Sequence, residues 1–247
     1  MNQTNSPLLG ILGGLGPMST VYFYELLTRH TNAQKDSDHI DLIISSRAST
    51  PDRTDFILQK SKNDPLDIMA QEVHRLEQAG AKLIVIPCNT AHYFYDGLTQ
   101  KCKVPMLNII EETVKHLHQR GISTFGLLAT EGTIASGAYT RVCERFGMQC
   151  ITPTKEEQAV ITSIIYEQIK QNKPADINSL LCVANALLSR GCQRLVLGCT
   201  ELSLLKKEGL SDNLFTDSLE VLAYQTILAC GKEPIGFPPS FLKGGMI

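Results

Sequence analysis

The chain has 247 residues, of which 43% are hydrophobic and 19% charged, with a formal net charge of −2 and no concentration of lysine or arginine. These values describe a folded globular protein and exclude a disordered or fibrous chain, a membrane span of roughly 18 apolar residues, and the basic surface that nucleic acid or an anionic membrane requires. Eight cysteines occur without a C-x-x-C pair, so neither zinc nor a thioredoxin-like dithiol is expected. The N-terminus shows neither a basic n-region nor an apolar h-region, so the protein is expected in the cytosol with its thiols reduced.

In chain order, a polar tip at residues 1–6 is expected to be unstructured, and an apolar run at 8–12 reads as a strand leading into the glycine-rich stretch GILGGLGPMST. Gly14-Leu15-Gly16 starts a G-x-G-x-x-G pattern, but its last position is Ser19 and no G-K-[ST] follows, so a nucleotide is not the expected ligand. The loop is better suited to bringing backbone close to a small anion. Further strands are predicted at 42–45, 83–86, 106–110, 125–128 and 195–197. Residues 65–79 predict a helix: Asp64 is a suitable N-cap, Pro65 takes the first helical position, Gly80 follows the end, and Leu66, Met69, Val73 and Leu76 recur on one face. Strands alternating with helices predict an α/β fold built on parallel sheets.

The chain also resembles itself. GAKLIVIPCNT (80–90) lies over GCQRLVLGCTE (191–201) without a gap, matching Gly80 with Gly191 and Cys88 with Cys199, while LGILGGLGP (9–17) matches FGLLATEGT (125–133), pairing Gly16 with Gly132. Two similar, pseudo-symmetric lobes are therefore expected, each a mainly parallel sheet flanked by helices. The expected division is residues 1–114 for the first lobe, with 215–247 packing back on it, and 115–214 for the second. Ligands of open α/β sheets bind beyond the carboxyl ends of the strands. Cys88 and Cys199 both sit there, one per lobe, and facing lobes would set the two thiols on opposite walls of one cleft.

Two such thiols suit a proton exchange at carbon. One sulfur, as thiolate, removes a proton from one face while the other, as thiol, delivers one to the opposite face, and a thiol pKa near 8.5 is close enough to neutrality for this. Asn89-Thr90 and Thr200-Glu201 fall where helices are expected to begin, so that Thr90 and Thr200 either cap those helices or present backbone N–H groups to a carboxylate. His92, a single histidine in a first turn, is read as structural.

The pieces GGLGPMST, PDRT, PCNTAH, LLATEGT and LGCTEL, spread from residue 13 to 202, resemble the aspartate/glutamate racemase family, in particular its aspartate racemase branch. The resemblance implies a cofactor-independent, metal-free isomerase in which Cys88 and Cys199 are the acid/base pair. It further implies that Asn89, Thr90 and Thr200 hold the substrate's α-carboxylate, that Arg53 receives its side-chain carboxylate with help from Lys170, and that Met18 and Thr133 line the substrate site. Read alone, Arg53 is equally an exposed loop arginine paired with Asp52 or Asp55. Glutamate racemases typically carry Asp-Ser-Gly and Gly-Cys-Thr-His where this chain has Gly13-Gly14-Leu15-Gly16 and Gly198-Cys199-Thr200-Glu201, which favours aspartate; both thiols being present implies interconversion in both directions. A homodimer with a small-molecule substrate is expected.

Rival readings are a maleate isomerase, in which Cys88 would add to carbon, a hydantoin racemase, and a two-lobed amino-acid binding protein without chemistry. A Cys88–Cys199 disulfide switch is a further alternative. Residues 237–247 offer no chemical signal beyond packing.

Overall fold

The computed structural model describes residues 6–210 and 213–241. Residues 1–5 of the polar tip and residues 242–247 of the C-terminal stretch lie outside the described residues. The chain runs β1 (Leu9–Gly13), α1 (Pro17–His30), β2 (Leu42–Ser46), α2 (Arg53–Ile57), α3 (Leu66–Gln78), β3 (Leu83–Val85), α4 (Tyr95–Lys101), β4 (Met106–Leu107) and α5 (Ile109–His118). It continues with β5 (Thr124–Leu128), α6 (Glu131–Ala135), α7 (Ala138–Phe146), β6 (Gln149–Ile151), α8 (Lys155–Ser163), α9 (Ile177–Ser189), β7 (Arg194–Leu197), β8 (Phe215–Asp217) and α10 (Ser218–Ala229). No helix of the described residues is long and apolar enough to cross a membrane.

Two four-stranded sheets form, in the orders β2-β1-β3-β4 and β6-β5-β7-β8, and every pairing is parallel. The orders correspond position by position, so the internal repeat is a repeat of topology. Cys88 follows β3 and Cys199 follows β7, equivalent strands in the two sheets. Sheets covered on both faces need strands that are apolar on both sides, which is why the buried runs Leu83–Val85 and 195–197 are wholly aliphatic.

One core joins the lobes. Leu9, Phe23 and Val114 from the first pack with Phe125, Leu127, Tyr139 and Val196 from the second and with Leu222 and Ile227 of α10. α10 is apolar almost all round, as a helix buried on most of its faces must be, and lies against α1 and α5. The division expected at residue 215 falls just ahead of β8, which completes the second sheet, while the helix after it crosses to the first lobe. Separate outer cores back each sheet, with Cys88 at the edge of the first and Cys199 at the edge of the second. At the C-terminal stretch, Phe241 packs against His116, Tyr224 and Phe237.

The predicted helix at 65–79 is α3, and Asp64 Oδ1 accepts from Leu66 N at 2.8 Å. The strand predicted at 106–110 is corrected: it ends at Leu107, because Asn108 Oδ1 accepts from the backbone N–H groups of Ile110 and Glu111 and starts α5. β6 and β8, three residues each, had no sequence signal; β6 is an edge strand of mixed burial.

His92 ties the turn after β3 to α5. The N–H of Ile109, an orphan donor at the start of the helix, points to His92 Nε2 at 3.2 Å, so Nε2 accepts and Nδ1 carries the proton that it donates to the Cys88 carbonyl at 2.8 Å. Burial pushes His92 down to about 4 and His116 down to about 3. Both rings are neutral in the fold, whereas the unfolded chain takes up these protons near pH 6.5. The unfolded state binds more protons below that value, so stability is complete above pH 6.5 and falls as the pH drops from about 6.5 towards 4 and 3. Between pH 7 and 5 the loss is expected to be on the order of 1–2 kcal/mol per histidine. Urea unfolding at the two pH values checks this: His92→Gln is expected to reduce the difference, and an unchanged difference would contradict the assignment.

Candidate active site

The carboxyl ends of the two sheets meet, and buried polar side chains close the seam. Thr90 Oγ1 lies 3.0 Å from Thr130 Oγ1 and 2.9 Å from Thr133 Oγ1, with the last two 3.0 Å apart. Thr200 Oγ1 donates to the Pro87 carbonyl at 3.2 Å, Tyr139 OH donates to Asn89 Oδ1 at 2.7 Å, and Asn89 Nδ2 donates to Ser218 Oγ at 2.9 Å. Neither Thr90 nor Thr200 caps a helix. The chain turns tightly through Thr90–Phe94 and Leu202–Glu208, and neither turn has a side-chain cap bond; both hydroxyls are spent across the lobes instead. Gly132 permits the contact, since a Cβ there would lie 2.8 Å from the Thr54 Cα of the other lobe.

Within the seam is a narrow chamber of about 10 Å³, room for roughly one water molecule. It is lined by Leu15, Asp52, Arg53, Thr54, Cys88, Thr90, Thr130, Tyr166, Lys170 and Glu201. Outside it lies a cavity of about 400 Å³ with Met18, Ser19, Ile169 and Leu204 in its walls. Asp52, Arg53, Lys170 and Glu201 line both spaces and stand between them.

Arg53 is 8% exposed and not a surface residue. Its Nη1 donates to the carbonyls of Thr50 and Pro51, while its buried Nε has no partner. Asp52 does not neutralise it: Oδ1 accepts from Asp55 N and caps α2. Among the described residues no carboxylate pairs with Arg53, so this guanidinium keeps donor capacity for an anion brought from outside.

Lys170 follows a π-turn at Ile164–Gln168, a type of distortion frequent at functional sites. Its Nζ lies 4.0 Å from both Asp52 Oδ2 and Glu201 Oε1, and 4.0 Å from the centre of the Tyr166 ring. The lysine thus spans the two lobes at the neck between chamber and cavity.

Cys88, 6% exposed, lines the chamber. Burial pushes its thiol up, and Arg53 opposes this. Cys199, 4% exposed, does not line either space and donates from Sγ to Glu201 Oε2 at 3.0 Å. Its thiol is raised well above the ordinary range, by burial first and then by the Glu201 carboxylate. The expected picture of two thiols bare on opposite walls is therefore modified: one sulfur faces the chamber and the other reaches it through Glu201. All eight cysteines are free. Among the described residues no group of three His, Cys, Asp or Glu side chains is arranged to hold a metal ion.

Of the remaining expected site residues, Thr90 lines the chamber, Thr133 sits directly behind it, and Met18 borders the outer cavity with 53% exposure. Asn89 does not line the chamber, and each end of its side-chain amide makes one bond at the seam, to Tyr139 and to Ser218. Glu201, Asp52 and Tyr166 also line the chamber, although the sequence marked Glu201 only as a departure from glutamate racemases, Asp52 only as a possible mate of Arg53, and Tyr166 not at all. For Glu201 a signal existed: a carboxylate two residues after a thiol at a strand end. Gly16 belongs to this arrangement as well. Its φ is +122° and a Cβ there would lie 2.6 Å from Glu201 Oε1, so the glycine makes room for that carboxylate while its loop also lines the outer cavity.

The sequence model of the Asp/Glu/Hydantoin racemase family matches residues 12–226. The broad specificity amino-acid racemase RacX of Bacillus subtilis is 30% identical over 225 residues, covering 89% of this chain and 96% of that one. The aspartate racemase of Picrophilus torridus superposes with a TM-score of 0.78 at 28% identity, covering 93% of this chain and 96% of the other. A glutamate racemase from Francisella tularensis, solved with D-glutamate, shares the fold with a TM-score of 0.62 at 21% identity, covering 91% and 82%. With two matching parallel sheets meeting at a thiol-bearing seam and a family match over most of its length, the chain belongs to the Asp/Glu/Hydantoin racemase family as an isomerase of the amino-acid racemase type.

Proposed function

We propose that the protein interconverts the enantiomers of an acidic amino acid, aspartate in the first instance, by proton exchange at the α-carbon between Cys88 and Cys199 without a cofactor. The observation that carries this reading is the buried Arg53 beside Cys88 with an unpartnered Nε. A buried donor left unpaired costs on the order of 1–3 kcal/mol, and a substrate carboxylate would remove that cost by accepting from it.

The substrate's side-chain carboxylate takes Arg53 and Lys170, the backbone N–H groups of the turns at Asn89, Thr90 and Thr200 receive the α-carboxylate, and the α-carbon comes to rest between the two sulfurs. An amino acid is far larger than the inner chamber, so binding parts the four charged side chains at the neck. Its carboxylate competes with Asp52 and Glu201 for Lys170, which makes an anionic ligand the natural opener. Once closed, the site excludes water from the carbanionic intermediate. With one sulfur on each face, either enantiomer can be deprotonated and both directions run. The protein works in the cytosol, where its thiols stay reduced. An exposed apolar stripe on α1, formed by Met18, Val21 and Tyr24, supports a homodimer.

In deuterated water, proton NMR of L- and D-aspartate is expected to show deuterium entering the α-position from either enantiomer with the wild type. Cys88→Ser and Cys199→Ser should each abolish racemisation while leaving exchange from at most one enantiomer. Unimpaired turnover in both variants would reject the two-base assignment, and the same spectra taken with maleate test the reading in which Cys88 adds to carbon. Arg53→Gln is expected to lower kcat/KM for aspartate by roughly 30–150-fold, the equivalent of about 2–3 kcal/mol for a lost charged hydrogen bond. A change under threefold would remove Arg53 from substrate recognition.

A further inference from the structure

The two sulfurs do not occupy equivalent surroundings, and the residues that follow them make the difference. Cys88 is followed by Asn89 and Thr90, whose side chains are committed to the seam. Cys199 is followed at the second position by Glu201, whose carboxylate is shared. Oε2 accepts the Cys199 thiol at 3.0 Å and Oε1 lies 4.0 Å from Lys170 Nζ. The carboxylate also lines the chamber onto which Cys88 opens, a space of about one water molecule. Gly16 leaves room for that carboxylate by having no side chain. Glu201 is therefore bonded to one thiol and adjoins the space in front of the other.

Resting on the racemase reading above, the geometry points to Glu201 as a catalytic relay that takes the proton of Cys199 at the start of a turnover and returns it to Cys88 at the end. When a substrate carboxylate draws Lys170 away, Glu201 loses its positive neighbour and becomes the stronger base. The S–H bond of Cys199 breaks, its proton passes to Oε2, and the electron pair stays on sulfur. The thiolate removes the α-proton from one face of the substrate, and the Cys88 thiol protonates the carbanion from the other. The product is then formed with a proton on Cys199, a thiolate at Cys88 and a protonated Glu201. Transfer from Glu201 to Cys88, directly or through one water, restores the starting state with no proton gained or lost and no oxidant required. In the opposite direction the same steps run in reverse.

Such a relay predicts a pH profile that a structural carboxylate would not produce. The proton shed by Cys199 stays in the site, so kcat/KM of the wild type is expected to be level between about pH 6.5 and 8.5. In Glu201→Gln, which keeps size and shape, the thiol must ionise to solvent. The variant is expected to lose at least tenfold in kcat at pH 7 and to gain a rise of about tenfold in kcat/KM per pH unit over that range. The other titratable and charged groups facing Glu201 are Cys88, Lys170, Asp52, Arg53 and Tyr166, and all are unchanged in the variant. Glu201→Asp should recover part of the loss. For the return step, a labelled racemate at equilibrium is perturbed with excess unlabelled single enantiomer: the label should move off equilibrium in Glu201→Gln and stay racemic in the wild type. Thermal melting confirms that both variants are folded. Parallel pH profiles in wild type and Glu201→Gln, equal losses in Glu201→Gln and Glu201→Asp, or an undisplaced label in Glu201→Gln would overturn the relay. A wild type that racemises no amino acid would instead overturn the functional reading on which it rests.

Discussion

Buried hydroxyls and amides at the seam hold the two sheets end to end, and the site exists because of them. Thr90 in the first lobe has its hydroxyl partners in Thr130 and Thr133 of the second, Thr200 in the second finds the Pro87 carbonyl in the first, and Asn89 is bracketed by Tyr139 and Ser218. Each is almost fully buried, so parting the lobes completely would leave several polar groups unpaired at on the order of 1–3 kcal/mol apiece. Behind the hydrogen bonds lies a shared apolar core that includes α10, a helix with no polar face of its own to offer solvent. The lobes are therefore joined at the base, and the freedom that a substrate needs is left to the charged neck around Lys170.

That neck sets the electrostatics. Two cations and two anions stand between the chamber and the outer cavity, but they are not equally satisfied. Asp52 is used as a helix cap and Glu201 accepts a thiol, while Arg53 keeps a buried donor free. Burial raises both thiols, which favours their protonated forms. Chemistry then requires a proton acceptor within the site or a charge delivered by the ligand, and the seam supplies the first through Glu201 and the neck prepares for the second through Arg53 and Lys170.

Duplication and divergence have separate physical consequences here. Repeating one sheet topology places a sulfur at the carboxyl end of equivalent strands, one lining the chamber and the other bonded to Glu201, which lines it. The residues that follow each sulfur differ: Pro87-Cys88-Asn89-Thr90 builds the seam, whereas Gly198-Cys199-Thr200-Glu201 adds a carboxylate. His92, two residues after Thr90, is consumed in fixing the start of α5 and remains neutral. Equivalent positions thus join the lobes in one case and set a carboxylate against a thiol in the other.

Sequence by itself determined the alternation of strands and helices, the internal repeat, the positions of both thiols at strand ends and the family, because these depend on local apolar runs, on glycine at turns and on motifs that are contiguous in the chain. It misplaced the end of β4, where the apolar pair Ile109-Ile110 looks extended until Asn108 is seen to cap a helix, and it missed β6 and β8, which are too short to carry a period. It used Glu201 only to set the chain apart from glutamate racemases and Asp52 only as a possible mate for Arg53, and it did not show the contacts that Asn89 and Thr200 make across the seam. Those roles are decided by partners more than a hundred residues away in some cases, such as Ser218 for Asn89 and Pro87 for Thr200, or by which of several nearby charges finds a mate. Only the tertiary structure decided them, because hydrogen-bond satisfaction and burial belong to the space between the lobes, and that space has no counterpart in the linear order of the residues.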